Sequence, residues 1–159
     1  MSRLPSLGPR GEGWVALQLL LLLAIVAAAM ALPLPVGDSV EQVARVVGLG
    51  ALVGGLVVFA LGIVTLGSSL SPLPAPLPSA ELVERGIYRF IRHPIYTGLV
   101  LAALGGSVYT VSPLAVGLTA LLAVVLDLKA RREEAWLRER FAGYAAYAAR
   151  TKRFIPGLY

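Results

Sequence analysis

Residues 95–128 read IYTGLVLAALGGSVYTVSPLAVGLTALLAVVLDL, two apolar runs with a short polar break between them. The runs cover about 95–111 and 113–128, and each approaches the length of about 20 residues that a membrane-spanning helix needs. Their connection, 109–112, is so short that the two helices must be antiparallel neighbours. This stretch therefore predicts a tight helical hairpin in a membrane.

Two further apolar runs precede the hairpin. Residues 14–32 carry no charge, and residues 43–67 are rich in glycine. A cleaved signal peptide is the alternative for the first run, but the apolar core of such peptides usually has about 7–15 residues. We therefore predict an all-α polytopic membrane protein with about four transmembrane helices, forming a single domain over residues 1–159.

The composition supports a membrane protein. Of the 159 residues, 57% are hydrophobic and 14% are charged, and the mean hydropathy is +0.78. Soluble domains are about 45–50% apolar and about 25% charged. The 159 residues include no cysteine, which excludes disulfides, thiolate metal sites and cysteine nucleophiles within this sequence. With one histidine and no HExxH motif, we expect no metal.

The placement of the basic residues predicts the orientation. Of the 14 Lys and Arg residues, all except Arg45 lie before the first run, between the second and third runs, or after the fourth. The positive-inside rule then places both termini and the connection 68–94 in the cytoplasm. The net charge of +5 is thus explained by topology and by attraction to anionic membrane lipids, and we expect no nucleic-acid partner.

Small residues in two of the runs predict close helix packing. Gly50 and Gly54 form a GxxxG pair in the second run. Gly98, Ala102 and Gly106 recur at every fourth position and so share one face of the third helix. Small residues in such patterns let neighbouring helices approach closely. We interpret both patterns as packing surfaces without chemistry.

The connection before the hairpin begins with SPLPAPLPS at 71–79. Its alternating prolines exclude a helix and favour an extended, stiff backbone. A ligand for a proline-binding module is one interpretation. A spacer along the membrane face is the interpretation we favour, because the segment leads directly to RGIYRFIRHPIYTG at 85–98.

That motif contains the only histidine of the sequence. Pro94 disfavours helix at His93 and suits a first helical turn, so the third helix should begin at Pro94 with His93 as its cap. A helix start binds anions, and Arg89, Arg92 and His93 would add donors. The alternative is that arginine and tyrosine only anchor the chain at the membrane interface. Because His, Pro, Tyr and Gly are grouped so tightly, we predict a ligand site.

A second polar cluster follows the fourth run. On a continuing helix, one inward face combines a carboxylate with apolar side chains: Glu133, Leu137, Phe141, Tyr144 and Ala148. Glu134 should then point outward and pair with Arg138, while Lys129 can pair with Glu133. Gly143 should bend or end this helix. A carboxylate at membrane depth is functional by default, and the hairpin brings both clusters to one rim, where we predict a pocket.

Together these motifs resemble the isoprenylcysteine carboxyl methyltransferase family, and phospholipid methyltransferases and other bacterial membrane methyltransferases share much of the pattern. The matching positions are Leu82, Val83, Gly86, Tyr88, Arg92, His93, Pro94, Tyr96, Gly98, Glu133, Glu134, Leu137, Phe141, Tyr144, Tyr147 and Arg153 to Pro156. The resemblance covers about residues 80–157.

The resemblance implies S-adenosylmethionine as cofactor, held between the hairpin and the C-terminal segment within residues 95–159. The implied cofactor-binding residues are Leu82, Val83, Tyr88, His93, Pro94, Ile95, Tyr96, Glu133 and Glu134. The implied catalytic residues are Arg92, Lys129 and Glu133. Lys129 stands where the family has an arginine, which keeps the charge but loses the bidentate fork.

The resemblance also implies a lipophilic or lipid-linked methyl acceptor and a location in the membrane, which we expect to be a bacterial cytoplasmic membrane. A carboxylate acceptor needs no general base, whereas an amine does, and this favours carboxyl methylation. Three alternatives stay open: a phospholipid N-methyltransferase, a nicotinamide-dependent membrane reductase of the steroid type, and a non-catalytic helical membrane protein.

Overall fold

The computed structural model describes residues 7–159, which form five α-helices. Their bounds are α1 Glu12–Ala31, α2 Asp38–Leu66, α3 Pro94–Tyr109, α4 Pro113–Arg140 and α5 Tyr144–Arg150. Helices α1, α2 and α4 are long and apolar enough to cross a membrane, whereas α3 is a shorter apolar helix of 16 residues. At about 1.5 Å per residue α3 is about 24 Å long. The predicted all-helical, polytopic fold is confirmed.

The hairpin forms as predicted. Helix α3 begins at Pro94 with His93 at its N-cap, and α4 begins at Pro113. The Ser112 side chain caps α4 by accepting a hydrogen bond from the Ala115 amide at 3.4 Å. Helix α4 then continues to Arg140, well past the apolar run, so that its last turns carry the second polar cluster. The sequence predicts a bend or an end of this helix at Gly143, and the helix ends a few residues earlier, at Arg140.

The helices pack as two pairs. Helix α1 packs mainly against α4, and α2 packs mainly against α3. The α1–α4 interface is a core of large apolar side chains, with Trp14, Leu21 and Ile25 buried in one cluster with Leu122 and Leu126. The two pairs meet through α3 and α4, which leaves room between α1 and α2.

Glycines line the α2–α3 interface, but only some of them are the predicted ones. The glycines that face the neighbouring backbone are Gly48, Gly55 and Gly62 of α2 and Gly98 and Gly105 of α3. A Cβ on Gly55 would lie 2.3 Å from the amide nitrogen of Ala102, and one on Gly98 would lie 2.4 Å from that of Phe59. The prediction for Gly98 and Ala102 is confirmed.

The prediction for Gly50, Gly54 and Gly106 is wrong. A Cβ added at any of the three would meet nothing within 4 Å. The contacting glycines recur every seven residues, so the interface follows a heptad-like seam rather than the four-residue GxxxG spacing.

One end of the bundle gathers the start of α1, the connection 67–93 and the C-terminal segment 141–159, and we call it the basic end. Here the Ala75 amide donates to the Arg10 carbonyl at 3.4 Å, and Arg140 contacts the Pro78 carbonyl. A parallel bridge joins Ile91 to Lys152. At the opposite end the connections 32–37 and 110–112 meet. The predicted spacer thus lies across the basic end.

Candidate functional site

A cavity of about 540 Å³ lies at the basic end between the two helix pairs. Ligand pockets in proteins typically measure about 300–1,000 Å³. Of the residues predicted from the sequence, those that line it are Leu82, Val83, Tyr88, Arg92, His93, Ile95, Tyr96, Lys129 and Glu133. Pro94 and Glu134 do not line it. Pro94 is buried and packs instead beside Gly62 of α2.

His93 is held between two carboxylates. Its ring is buried and stacks on Tyr96, with ring centroids 5.3 Å apart and planes 4° from parallel. Nε2 lies 3.3 Å from Oε1 of Glu134, and Nδ1 lies 3.8 Å from Oε2 of Glu133. Because His93 is the N-cap of α3, the helix start fixes the backbone and the carboxylates fix the ring.

Glu133 faces the cavity. Its carboxylate accepts a hydrogen bond of 2.8 Å from the Tyr96 hydroxyl, and 26% of its side chain is exposed. Leu137 and Tyr144 line the same cavity. The predicted inward face is confirmed for Glu133 and Leu137 of α4. The predicted continuation of that helix is wrong, because α4 ends at Arg140 and Tyr144 reaches the cavity from α5. Phe141 also lines the cavity, whereas Ala148 does not.

Glu134 is also buried, which the sequence did not predict. Its side chain is 1% exposed and binds Arg92 Nε at 3.0 Å and Arg153 Nε at 3.0 Å. The predicted contact with Arg138 exists at 3.4 Å, but the outward orientation is wrong. The reason is that residues 151–154 fold back onto this end of the bundle and cover a second face of α4.

Arg92 connects the RHP motif, residues 92–94, to the C-terminal segment 141–159. Besides Glu134, its guanidinium donates to the Ala148 carbonyl at 3.1 Å and to the Thr151 carbonyl. Its backbone amide donates to the Lys152 carbonyl at 2.8 Å. Hydrogen bonding to Glu134 raises the pKa of Arg153, the other arginine of this network, above its ordinary value. These partners engage the guanidinium of Arg92 and tie it to α4 and to the C-terminal segment. Its predicted catalytic role stays a prediction.

Lys129 lines the cavity from α4 but does not form the predicted ion pair with Glu133. Its ammonium donates to Oε1 of Gln18 at 2.7 Å and lies 5.0 Å from the centroid of the Tyr96 ring. Within residues 7–159, no carboxylate oxygen lies within 4 Å of this ammonium. Lys129 reaches across to α1 because α1 packs directly on α4.

Gln18 is a cavity residue that the sequence reasoning missed. It lies on α1 and is the only amide or charged residue in 14–32. Polar residues within membrane spans usually have a functional reason, so that signal could have identified it. Because the run 14–32 lacks charge, its overall composition predicts only a membrane span.

Tyr144 provides an unpaired donor. It is 1% exposed and lines the cavity, and its hydroxyl has no hydrogen-bond partner within the part of the chain that the structure describes. Burial raises the pKa of Tyr144, so the hydroxyl stays protonated at neutral pH and can donate. Buried polar groups normally have a partner, so this hydroxyl is an unsatisfied donor in the wall of the cavity.

Comparisons with known proteins agree with these motifs. Residues 43–143 match the family model described as phospholipid methyltransferase. Two rice proteins, from Oryza sativa subsp. indica and subsp. japonica, are each named "Probable protein-S-isoprenylcysteine O-methyltransferase" and are 32% identical to this chain over 114 residues. The alignment covers 69% of this chain, and the chain spans 60% of the length of these curated relatives. The RHP motif, the paired glutamates and the matched region together show that the chain belongs to the phospholipid methyltransferase family.

Proposed function

We propose that this protein transfers a methyl group from S-adenosylmethionine to a carboxylate on a lipophilic, isoprenylcysteine-type acceptor. The observation that carries the proposal is a single cavity in which polar groups of the RHP motif and α4 face apolar side chains of two membrane helices. The name of the rice relatives, probable protein-S-isoprenylcysteine O-methyltransferase, also supports an isoprenylcysteine-type acceptor. Since the chain spans only part of those relatives, their activity is a proposal for this one.

The polar side of the cavity fits the cofactor. S-adenosylmethionine carries an ammonium, a carboxylate, ribose hydroxyls and an adenine. Glu133 is an acceptor for the ammonium or the ribose hydroxyls, and Tyr144 forms part of the wall beside it. Leu82 and Val83, which belong to the connection 67–93, line the cavity with apolar side chains that suit the flat adenine. We propose that these residues and the stacked His93–Tyr96 pair hold the cofactor.

When bound, S-adenosylmethionine supplies a methyl group already activated by its positive sulfonium. The protein then has to align the acceptor and exclude water. The stacked pair of His93 and Tyr96 is rigid because both rings are tied to glutamates of α4. Such a fixed wall favours a single orientation of the reacting groups.

The apolar side of the cavity fits a lipid-linked acceptor. Val15 and Leu19 of α1 and Phe59 and Ile63 of α2 line it, and these helices belong to different pairs. An acceptor carried in the bilayer can therefore approach between α1 and α2. A carboxylate acceptor is favoured over an amine, because a carboxylate needs no base and the buried cation Lys129 would repel a protonated amine.

The basic end faces the cytoplasm in this proposal, because most arginines lie there. The cofactor would reach the cavity from that side and the acceptor from the bilayer. The expected bacterial origin stays a prediction.

A transfer assay tests the proposal. The purified chain in lipid nanodiscs receives S-adenosylmethionine with a tritiated methyl group, together with N-acetyl-S-farnesylcysteine or phosphatidylethanolamine. We expect label in the farnesylated carboxylate as a base-labile ester, and its loss in Glu133→Gln. Base-stable label in phosphatidylethanolamine would instead establish N-methylation. Binding of NADPH without binding of S-adenosylmethionine would establish a reductase.

A further inference from the structure

We propose that Gln18 of α1 and Lys129 of α4 form a two-donor site for the carboxylate of the acceptor, and that Gln18 sets the preference for anionic acceptors. The inference rests on the proposed function and adds the group that recognises the acceptor. It concerns a helix outside the matched region 43–143.

The first step concerns the buried charge of Lys129, which has no carboxylate in contact within the described residues. The residue is 2% exposed, and its ammonium carries three donors. One donor binds Gln18, and the Tyr96 ring lies beside the group. A buried cation without a counter-charge is costly, and within residues 7–159 no carboxylate lies within 4 Å. Because Lys129 lines the cavity, an anion bound there would supply that charge.

The second step concerns the orientation of the Gln18 amide. An ammonium has no acceptor, so only the amide oxygen can face Lys129. The hydrogen bond of 2.7 Å to Oε1 therefore leaves Nε2 as a donor, and Nε2 has no partner within the described residues. Both side chains line the cavity. Two neighbouring residues that line one cavity thus each keep an N–H donor, and the two oxygens of a single carboxylate can accept from both.

The third step concerns what this pair rejects. An ammonium head group would meet a like charge on Lys129 and an N–H donor on Gln18, and the one acceptor of the pair, the Gln18 amide oxygen, is already bound to Lys129. A carboxylate methyl ester keeps the shape of the acid but loses its charge. The pair therefore predicts tight binding of the free acid and weak binding of both the ester and a cationic amine.

The test measures acceptor binding without turnover. The full chain in nanodiscs is titrated with N-acetyl-S-farnesylcysteine and with its methyl ester, in the absence of S-adenosylmethionine. We expect the wild type to prefer the acid by at least about tenfold, since a hydrogen bond to a charged group contributes about that factor or more. Gln18→Leu should reduce the preference about tenfold.

Two variants separate recognition from folding. Gln18→Glu keeps a partner for Lys129 and so protects the fold, yet its negative charge should abolish the preference for the acid. Leu20→Ala, at an exposed position two residues along α1, is the matched control and should bind like the wild type.

Equal binding of acid and ester by the wild type would overturn the inference, as would an unchanged preference in both Gln18 variants. Failure of the proposed function has a different signature. In that case no acceptor is methylated, although the acid is still preferred and the preference still depends on Gln18.

Discussion

At the residue scale, two consecutive glutamates have opposite surroundings. Glu133 is partly exposed to the cavity and has the Tyr96 hydroxyl as its closest partner. Glu134 is buried and binds two arginines and the His93 ring. An α-helix turns about 100° per residue, so neighbouring side chains serve different faces. The first glutamate therefore faces the cavity, where we propose a ligand, and the second joins α4 to the C-terminal segment and to residues 92–93.

Substitution by glutamine should separate these roles. Glu133→Gln keeps an acceptor for Tyr96, so we expect the free energy of unfolding to change by less than about 1 kcal/mol while S-adenosylmethionine binding is lost. Glu134→Gln leaves Arg92 and Arg153 without their buried counter-charge, which should destabilise the protein by about 3–5 kcal/mol. Denaturant unfolding in detergent micelles measures the free energy of unfolding. Calorimetric titration measures the affinity for S-adenosylmethionine.

Arg138→Gln is the control, because its contact with Glu134 is long and its side chain is half exposed. It should change neither quantity appreciably. If a fully stable Glu134→Gln variant lost cofactor binding as completely as Glu133→Gln, the two glutamates would not have separate roles. Both would then contact the cofactor.

At the element scale, the α2–α3 interface depends on particular glycines. Gly54 and Gly55 are adjacent on α2, yet only Gly55 touches the backbone of α3. Substitution by alanine adds one methyl group at either position. At Gly55 that methyl would force the helices apart, whereas at Gly54 it would enter open space.

We therefore predict that Gly55→Ala destabilises the protein by about 1–3 kcal/mol, the usual cost of overpacking. Gly54→Ala should be neutral or slightly stabilising, since alanine favours helix over glycine by about 1 kcal/mol. Thermal unfolding in nanodiscs compares the two variants directly. Equal destabilisation would show that the GxxxG pair is also a packing surface.

The elements themselves could be predicted from sequence, and their partners could not. Pro94 and Pro113 mark the helix starts, because proline suits a first turn, and both starts are where they were expected. The choice between Gly54 and Gly55 depends on which face of α2 meets α3, and an apolar helix in a membrane is apolar on every face. The sequence predicts an outward orientation for Glu134 for a related reason. Its burial comes from a distant segment, residues 151–154, that folds back onto α4.

At the scale of the whole molecule, the site depends on helices from both pairs. The RHP motif and α4 supply the polar side, which local sequence motifs predict. Helices α1 and α2 supply the apolar side and Gln18, and neither carries a motif of polar residues. The site could therefore be predicted only in part, because the position of α1 follows from apolar packing on α4, which leaves no distinctive pattern in the sequence.

The last prediction concerns which end of the molecule faces the cytoplasm. The sequence has no cysteine, so single cysteines can be introduced at the exposed positions Ser39, Ser79 and Ala146. Ser79 and Ala146 belong to the basic end, and Ser39 lies at the opposite end. Because arginine-rich segments stay in the cytoplasm, a membrane-impermeant maleimide added to intact cells should label only the cysteine at Ser39.

A permeant maleimide is the control and should label all three variants. Ser112, in the short turn of the hairpin, is unsuitable as a second outer position because its side chain is buried against α1. Labelling of the Ser79 or Ala146 variant in intact cells would show that the basic end faces the outside of the cell. The cavity would then open away from the cytoplasmic supply of S-adenosylmethionine, and the proposed function would lose its cofactor.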